Sequence, residues 1–216
     1  MDGAARRARL ASARLYLVLE ARPHGSAPDA LLDAALRGGV DVVQLRDKNL
    51  PDEDLLAAAE PFRRACEAHD GLFVLNDRPD LVAACAADGV HVGQDDTPFD
   101  EARAAVGSER LVGLSAGSRG EIEAAAAAGA DYLGVGAVYG TPTKPDAEAG
   151  GLELVRAAAD LIQMPWFAIG GIELDTVAEV AAAGAPGVAV VRAIRDAPNP
   201  EAAARALRAA LTPHAG

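Results

Sequence analysis

The chain has 216 residues, of which 50% are hydrophobic and 24% charged, and its 32 acidic against 20 basic side chains give a formal net charge of -12. This composition excludes intrinsic disorder, and the acidic balance argues against non-specific binding to nucleic acid or to an anionic membrane, since both need a broad basic surface. No apolar run approaches the roughly 20 residues of a membrane-spanning helix.

Eight short runs rich in aliphatic residues recur along the chain and predict eight β-strands. The runs are residues 15–20, 40–46, 71–77, 89–94, 111–116, 132–138, 166–171 and 187–191. Several are apolar almost without interruption, which is typical of parallel strands covered on both faces.

Alanine- and leucine-rich segments alternate with these runs and carry the signals of helix ends. Helices are predicted to begin near Pro28, Pro51, Pro79, Pro98, Asp175 and Asn199, through a proline in the first turn or a side-chain cap. They are predicted to end in left-handed glycines at Gly38, Gly89, Gly129 and Gly184. Eight strand–helix units predict an α/β fold, a single (β/α)8 TIM barrel with parallel strands.

The barrel is expected to occupy residues 13–213 as one catalytic domain, after a loose N-terminal tail over residues 1–12. An open doubly wound sheet is the alternative, but the segment after the first strand lacks the glycine-rich fingerprint of that fold. The two cysteines, Cys66 and Cys85, have no metal-site spacing. We expect them to be reduced thiols in helices of a cytoplasmic protein.

In a TIM barrel the ligands bind on the loops that follow the strands, so polar residues at strand ends predict the site. Those residues are Gln44, Arg46, Lys48, Asn76, Asp77, Arg78, Gln94, Asp95, Asp96, Ser115, Thr141, Thr143, Lys144, Gly170, Gly171 and Arg192.

Gln44, Arg46 and Lys48 alternate along the end of the second strand, so their side chains are predicted to point the same way and to grip one ligand. The alternative for Gln44 is a polar residue of the barrel interior that is satisfied by a neighbour. That alternative suits a buried cation less well, because a charge without a partner is costly to bury.

The chain has only two lysines, Lys48 and Lys144, against eighteen arginines, and both lysines fall at the predicted mouth of the barrel. We interpret them as point charges for phosphate. The alternative is chance, since loops are polar in any case.

Asp77 and either Asp95 or Asp96 follow the third and fourth strands, which are neighbours about 4.8 Å apart in a sequentially wound barrel. Mg²⁺ commonly binds one or two carboxylates together with substrate phosphates, so this pair predicts a metal site. The alternative is that each acid caps the helix predicted at Pro79 or at Pro98.

The remaining features concern phosphate, a lid and a histidine. Gly170–Gly171 and the segment 190–194 stand where barrels often hold a phosphate on backbone N–H groups. The longest loop, residues 139–151, is interpreted as a lid over the substrate. His91 is expected to be structural, and Ser115 to be either a cap or a ligand contact.

Six motifs in order resemble those of the thiamine-phosphate synthase family. They are VQLRDK (43–48), FVLNDRPDLVAACAADGVHVGQDD (73–96), GLSAGS (113–118), GADYLGVGAVYGTPTKPD (129–146), AIGGI (168–172) and GVAVVRAI (187–194). The resemblance extends from about residue 15 to residue 211.

The resemblance implies an alkyl transfer that depends on Mg²⁺. In that reaction 4-amino-5-hydroxymethyl-2-methylpyrimidine diphosphate loses pyrophosphate, and the nitrogen of the thiazole phosphate attacks the resulting pyrimidine cation. The product is thiamine phosphate. The protein is then expected to stabilise the leaving group and position the nucleophile.

The resemblance also assigns roles to individual residues. The pyrimidine diphosphate would be held by Gln44, Arg46, Lys48, Asn76, Ser115 and Lys144. Asp77 and Asp96 would bind Mg²⁺. The thiazole phosphate would be held by Thr141, Thr143, Gly171, Val191 and Arg192. Of these residues, Arg46, Lys48, Ser115 and Lys144 would be catalytic.

Two positions depart from the family pattern. Arg192 stands where the family often has serine, and Gly117–Ser118 stand where it often has histidine and threonine. The rival functions are a thiazole tautomerase-like relative, which would lack the two metal-site aspartates, and a non-catalytic barrel that binds phosphate ligands. The expected partners are small-molecule substrates, without nucleic acid or membrane, and a homo-oligomer is left open.

Overall fold

Eight parallel strands close into a barrel in the computed structural model, which describes residues 1–140 and 149–211. The strands are β1 Leu15–Leu19, β2 Val42–Leu45, β3 Leu72–Asn76, β4 Gly89–Val92, β5 Leu111–Ala116, β6 Tyr132–Val135, β7 Trp166–Ile169 and β8 Val188–Val190. Each strand pairs with the next in sequence, and β1 pairs with β8 to close the ring. The predicted (β/α)8 barrel is confirmed.

Helices surround the strands. They are α1 Gly3–Ser12, α2 Asp29–Arg37, α3 Asp52–His69, α4 Phe99–Val106, α5 Arg119–Ala128, α6 Gly151–Leu161, α7 Val177–Ala182, α8 Arg192–Arg195 and α9 Pro200–Ala210. Short 3₁₀ turns span Pro23–Gly25 and Pro79–Leu81. No helix in the described ranges is long and apolar enough to cross a membrane.

The strands separate two hydrophobic cores, because successive side chains point to opposite faces. In β1, Leu15, Leu17 and Leu19 belong to the larger core between strands and helices. Tyr16 and Val18 belong to the smaller core inside the ring. The barrel is therefore filled by side chains, and the room for a ligand lies at its end.

The loose tail predicted for residues 1–12 is instead the helix α1. Leu10 joins the core inside the ring, and the Arg6 guanidinium bonds the Asp88 carboxylate at 2.9 Å. Arg7 bonds Asp131 at 2.8 Å. Asp88 and Asp131 directly precede β4 and β6, so α1 covers the N-terminal end of the barrel. The partners of its arginines are distant in sequence, which is why the segment alone resembles a tail.

The α-helix predicted to begin at Pro79 does not form. Only a 3₁₀ turn forms at Pro79–Leu81, and a left-handed residue at Ala86 (φ 50°) interrupts the following turns. Cys85 therefore lies in a turn, although Cys66 lies in α3 as predicted. A proline start signal fits a 3₁₀ turn as well as an α-helix, so the proline alone does not distinguish the two.

The end signals of the helices are confirmed in part. Gly129 and Gly184 are left-handed, with φ of 82° and 110°. Gly38 is right-handed instead, and the next residue, Gly39, has the positive φ (103°). Gly89 is the first residue of β4.

The two predicted side-chain caps also differ. Asn199 caps α9 by accepting the Ala202 N–H at 3.0 Å. Asp175 does not cap α7; the Thr176 hydroxyl instead bonds the Glu173 carbonyl at 3.2 Å.

Candidate active site

A cavity that opens to solvent lies at the C-terminal end of the barrel. The predicted site residues that line it are Gln44, Arg46, Lys48, Asn76, Asp77, Asp96, Ser115, Gly170, Gly171, Val191 and Arg192. The structure thus brings together residues that lie on, or directly follow, six of the strands. Thr141, Thr143 and Lys144, with most of the predicted lid, lie outside the described residues.

Gln44, Arg46 and Lys48 line the same cavity, as their alternation predicts. Gln44 is buried, and its amide N–H donates to the Tyr16 hydroxyl at 2.9 Å. Gln44 therefore also has the neighbouring hydrogen-bond partner inside the barrel that the alternative interpretation predicted. Arg46 is half-buried, and no carboxylate in the described part of the chain pairs with its guanidinium. This cation is therefore available to an anionic ligand.

One lysine joins the two predicted metal-site acids. Lys48 Nζ lies 2.8 Å from Asp77 Oδ2 and 3.3 Å from Asp96 Oδ1. The other Asp96 oxygen accepts the Gly93 N–H at 3.0 Å. Pro98 stands at the N-cap of α4 without a side-chain hydrogen bond, so the capping alternative is wrong for Asp96. It is also wrong for Asp77, because the 3₁₀ turn that follows has no side-chain cap.

The two carboxylates differ in their protonation equilibria. Desolvation raises the pKa of the Asp77 carboxyl above its usual value, and its contact with Asp96 adds to this despite the contact with Lys48. Desolvation also acts on Asp96, but its bonds to Asp77, the Gly93 N–H and Lys48 lower its pKa overall. The Asp77 hydrogen bond raises the pKa of Lys48. The cluster therefore holds a cation between two acids.

The donor set of this cluster suits Mg²⁺. Two carboxylates supply hard oxygen ligands, and they already converge on one positive charge. No group of three or more His, Cys, Asp or Glu in the described ranges could hold a metal ion. Mg²⁺ usually keeps several waters and binds substrate phosphates besides one or two carboxylates, so a two-acid site fits that ion.

The opposite wall of the cavity is built from backbone. Gly170 and Gly171 follow β7 with φ of 106° and 63°. A side chain at Gly170 would place its Cβ 2.7 Å from the Ala137 Cα, so the chain passes here with no room for one. After β8, α8 begins at Arg192, whose guanidinium lies 3.5 Å from a Glu173 oxygen. The predicted phosphate segments therefore meet at one side of the cavity.

Sequence reasoning missed the aromatic floor of the cavity. His91 Nε2 lies 2.9 Å from the Ser115 hydroxyl, and His91 Nδ1 lies 3.2 Å from the Tyr132 hydroxyl. Ser115 is within β5, and the cap of α5 is Ser118 instead. The register of β4 against β5 explains this contact. His91 pairs with Gly113, and Ser115 is two residues further along β5, so His91 and Ser115 both point inward.

Comparisons with known proteins agree with this geometry. The family model for thiamine monophosphate synthase matches residues 15–194. The thiamine-phosphate synthase of Thermobifida fusca (strain YX) is 50% identical over 208 residues, which is 95% of each chain. That of Mycobacterium avium (strain 104) is 51% identical over 199 residues, covering 88% of this chain and 89% of its own.

A solved structure is similar over nearly the whole barrel. The thiamine phosphate pyrophosphorylase from Pyrococcus furiosus superposes with a TM-score of 0.85 at 33% identity, covering 94% of this chain and 96% of that one.

Proposed function

Because the chain belongs to the thiamine monophosphate synthase family, we propose that its cavity joins the pyrimidine diphosphate to the thiazole phosphate and releases pyrophosphate. The chain is a transferase of thiamine biosynthesis. The observation that carries the proposal is the single cavity in which a lysine–aspartate cluster faces a glycine-lined wall. One end suits a diphosphate and the other suits a phosphate.

The cationic end is assigned to the leaving diphosphate. Arg46, Lys48 and Ser115 line this end and present hydrogen-bond donors, and the family resemblance adds Lys144. The bond between the pyrimidine methylene carbon and the diphosphate oxygen breaks, and both electrons leave with the oxygen. Donors aimed at that oxygen stabilise the charge that develops there.

The thiazole nitrogen then donates its lone pair to the pyrimidine cation, and a carbon–nitrogen bond forms. No side chain has to remove a proton for this step, so the residues act by holding the two rings in contact. Gln44 and Asn76 are buried beside the cationic end and are assigned to the pyrimidine. Phe167 and Ile169 add apolar surface to the same cavity.

Asp77 and Asp96 are the residues that would hold Mg²⁺, and the bound ion would neutralise charge on the leaving diphosphate. Lys48 contacts both carboxylates and reduces their mutual repulsion. The same lysine also faces the cavity, so it is available to the diphosphate.

The glycine-lined wall is assigned to the thiazole phosphate. The backbone N–H groups of Gly171, Val191 and Arg192 are the proposed donors, and Thr141 and Thr143 are added from the family resemblance. The Arg192 guanidinium contacts Glu173 and adds a cation near this phosphate. Either the plain or the carboxylated thiazole phosphate would present this group.

We propose the cytoplasm as the place of the reaction, which suits the unpaired thiols of Cys66 and Cys85. The deciding experiment incubates the purified protein with Mg²⁺ and both substrates. Pyrophosphate release is measured by a coupled assay and thiamine phosphate by mass spectrometry, and we expect equal amounts of the two. Absence of pyrophosphate at saturating substrates would refute the proposal.

A further inference from the structure

Five polar side chains form a continuous hydrogen-bonded chain across the floor of the cavity. The Gln44 amide N–H donates to the Tyr16 hydroxyl at 2.9 Å, and the Tyr16 and Tyr132 hydroxyls lie 3.0 Å apart. Tyr132 lies 3.2 Å from His91 Nδ1, and His91 Nε2 lies 2.9 Å from the Ser115 hydroxyl. The chain links two residues assigned to the pyrimidine diphosphate from opposite sides of the barrel.

The direction of this chain follows from counting protons. The Tyr16 oxygen accepts from Gln44, so the Tyr16 proton needs an acceptor, and Tyr132 supplies it. The Tyr132 proton then goes to His91 Nδ1. Burial raises the pKa of both tyrosines, so both keep their protons. The reverse direction would leave the buried Tyr16 proton without an acceptor in this chain.

This direction fixes the state of the last two members. His91 accepts at Nδ1 and therefore donates from Nε2 to the Ser115 oxygen. The Ser115 proton is then not used by His91, so it can be donated to a ligand in the cavity that Ser115 lines.

Two glycines make room for this arrangement. A Cβ at Gly113 would lie 2.2 Å from the Tyr132 ring, and a Cβ at Gly134 would lie 3.2 Å from His91 Cε1. Gly113 is the pairing partner of His91, and Gly134 is the partner of Ser115. The absence of side chains on the neighbouring strands therefore sets where both rings lie.

We propose that His91 is a positioning residue that holds the Ser115 hydroxyl as a donor to the leaving diphosphate, with Tyr132 fixing the imidazole tautomer. His91 does not itself touch the substrate in this role, and no proton is transferred. The inference rests on the proposed function for its effect on turnover. The tautomer can be tested independently of turnover.

The first test is nitrogen-15 NMR of the histidine side chains, with the His91 signals assigned by their loss in His91→Asn. The expected result is a neutral ring with the proton on Nε2, and replacing Tyr132 with phenylalanine should change the balance of the two tautomers. A proton on Nδ1 in the wild-type protein would overturn the proposal, whatever the protein's activity.

The second test is a double-mutant cycle with kcat as the readout. His91→Asn keeps an amide near the position of Nδ1 but removes the donor to the Ser115 oxygen. We expect kcat to fall about 10- to 100-fold, which is the effect of one weakened hydrogen bond to a developing charge. The KM for the pyrimidine diphosphate should change less than about 3-fold. Because His91 acts through Ser115, the double variant with Ser115→Ala should be no slower than Ser115→Ala alone.

Rescue and a matched control complete the cycle. His91→Gln places an amide nitrogen near Nε2 and should recover part of the lost kcat. His69→Asn makes the same change on α3, where His69 bonds Asp33, and should leave kcat unchanged. Two results would overturn the proposal. One is a double variant whose loss of kcat equals the product of the two single losses. The other is an equal loss of kcat in His91→Gln and His91→Asn with unchanged thermal unfolding. If the wild-type protein releases no pyrophosphate, the proposed function fails while the tautomer result still stands.

Discussion

The two ends of the barrel use aspartates in different ways. At the N-terminal end, the acids that precede the strands are matched by arginines and by strand N–H groups: Asp131 bonds Arg7, Arg103 and the Val112 N–H. At the C-terminal end, Asp77 and Asp96 share Lys48. An aspartate whose charge is fully paired stabilises the fold, whereas an aspartate whose charge is only partly paired is available to bind a ligand.

This contrast has a physical basis in the two environments. Asp131 is almost fully buried, so its partners must replace all the water that it loses. Asp77 is also largely desolvated, which raises its pKa, but it shares one lysine with Asp96, so its charge is incompletely compensated. We expect substitutions at one end to affect turnover and substitutions at the other to affect stability.

The largest effect is expected at the mouth. Asp77→Ala should lower kcat by at least about 100-fold, because the site loses a ligand for the Mg²⁺ that would neutralise the leaving diphosphate. The midpoint of thermal unfolding should stay within about 2 °C of wild type, since the lost contact is partly solvated. Pyrophosphate release and calorimetry measure the two quantities. Full turnover in this variant would show that Asp77 has no role in the reaction.

Chelation of divalent cations should separate turnover from stability without a mutation. Removing divalent cations with EDTA is expected to abolish pyrophosphate release, and added Mg²⁺ is expected to restore it. Unfolding by urea should be nearly the same with and without EDTA, because strand pairing closes the barrel and the two acids lie at its mouth. Turnover that persists in EDTA would contradict the assignment of Asp77 and Asp96.

The opposite result is expected at the N-terminal end. Asp131→Ala should cost about 3 kcal/mol of unfolding free energy, because it removes the carboxylate that pairs with Arg7 and Arg103 and accepts the Val112 N–H. Urea denaturation measures this loss. Among molecules that remain folded, kcat should equal that of the wild type. A large loss of kcat per folded molecule would break the division between the two ends.

The smallest effect is expected at the phosphate wall. Arg192→Ser should raise the KM for the thiazole phosphate by less than about 10-fold, because the backbone donors remain and only the guanidinium is lost. Arg195→Ser is the matched control, since Arg195 bonds Glu20 and Asp196 and does not line the cavity. Equal effects in the two variants would exclude a phosphate contact by Arg192.

The sequence was informative where local pattern and chain order suffice. Eight apolar runs define eight strands, and the order of strands in a barrel brings Asp77 and Asp96 together without any alignment. The helix α1 could not be predicted in this way. Its arginines bond Asp88 and Asp131, which are far along the chain, so the helix depends on tertiary contacts.

The aromatic floor shows a different limit. A histidine within an apolar strand has the same local pattern whether its ring is structural or faces a ligand. Only the pairing of β4 with β5 shows that His91 meets Ser115, and only the space left by Gly113 and Gly134 shows how the rings fit. Neither feature has a signature within its own segment.

The scarcity of lysine makes the mouth chemically addressable. Besides the N-terminal amine, the chain has two amines, and Lys48 is 45% exposed at the cavity. The hydrogen bond that Lys48 donates to Asp77 raises the pKa of Lys48 and so slows its acylation. A diphosphate bound at this end should change the contacts of Lys48, so the rate at which an amine-selective reagent modifies Lys48 would report on occupancy of the site.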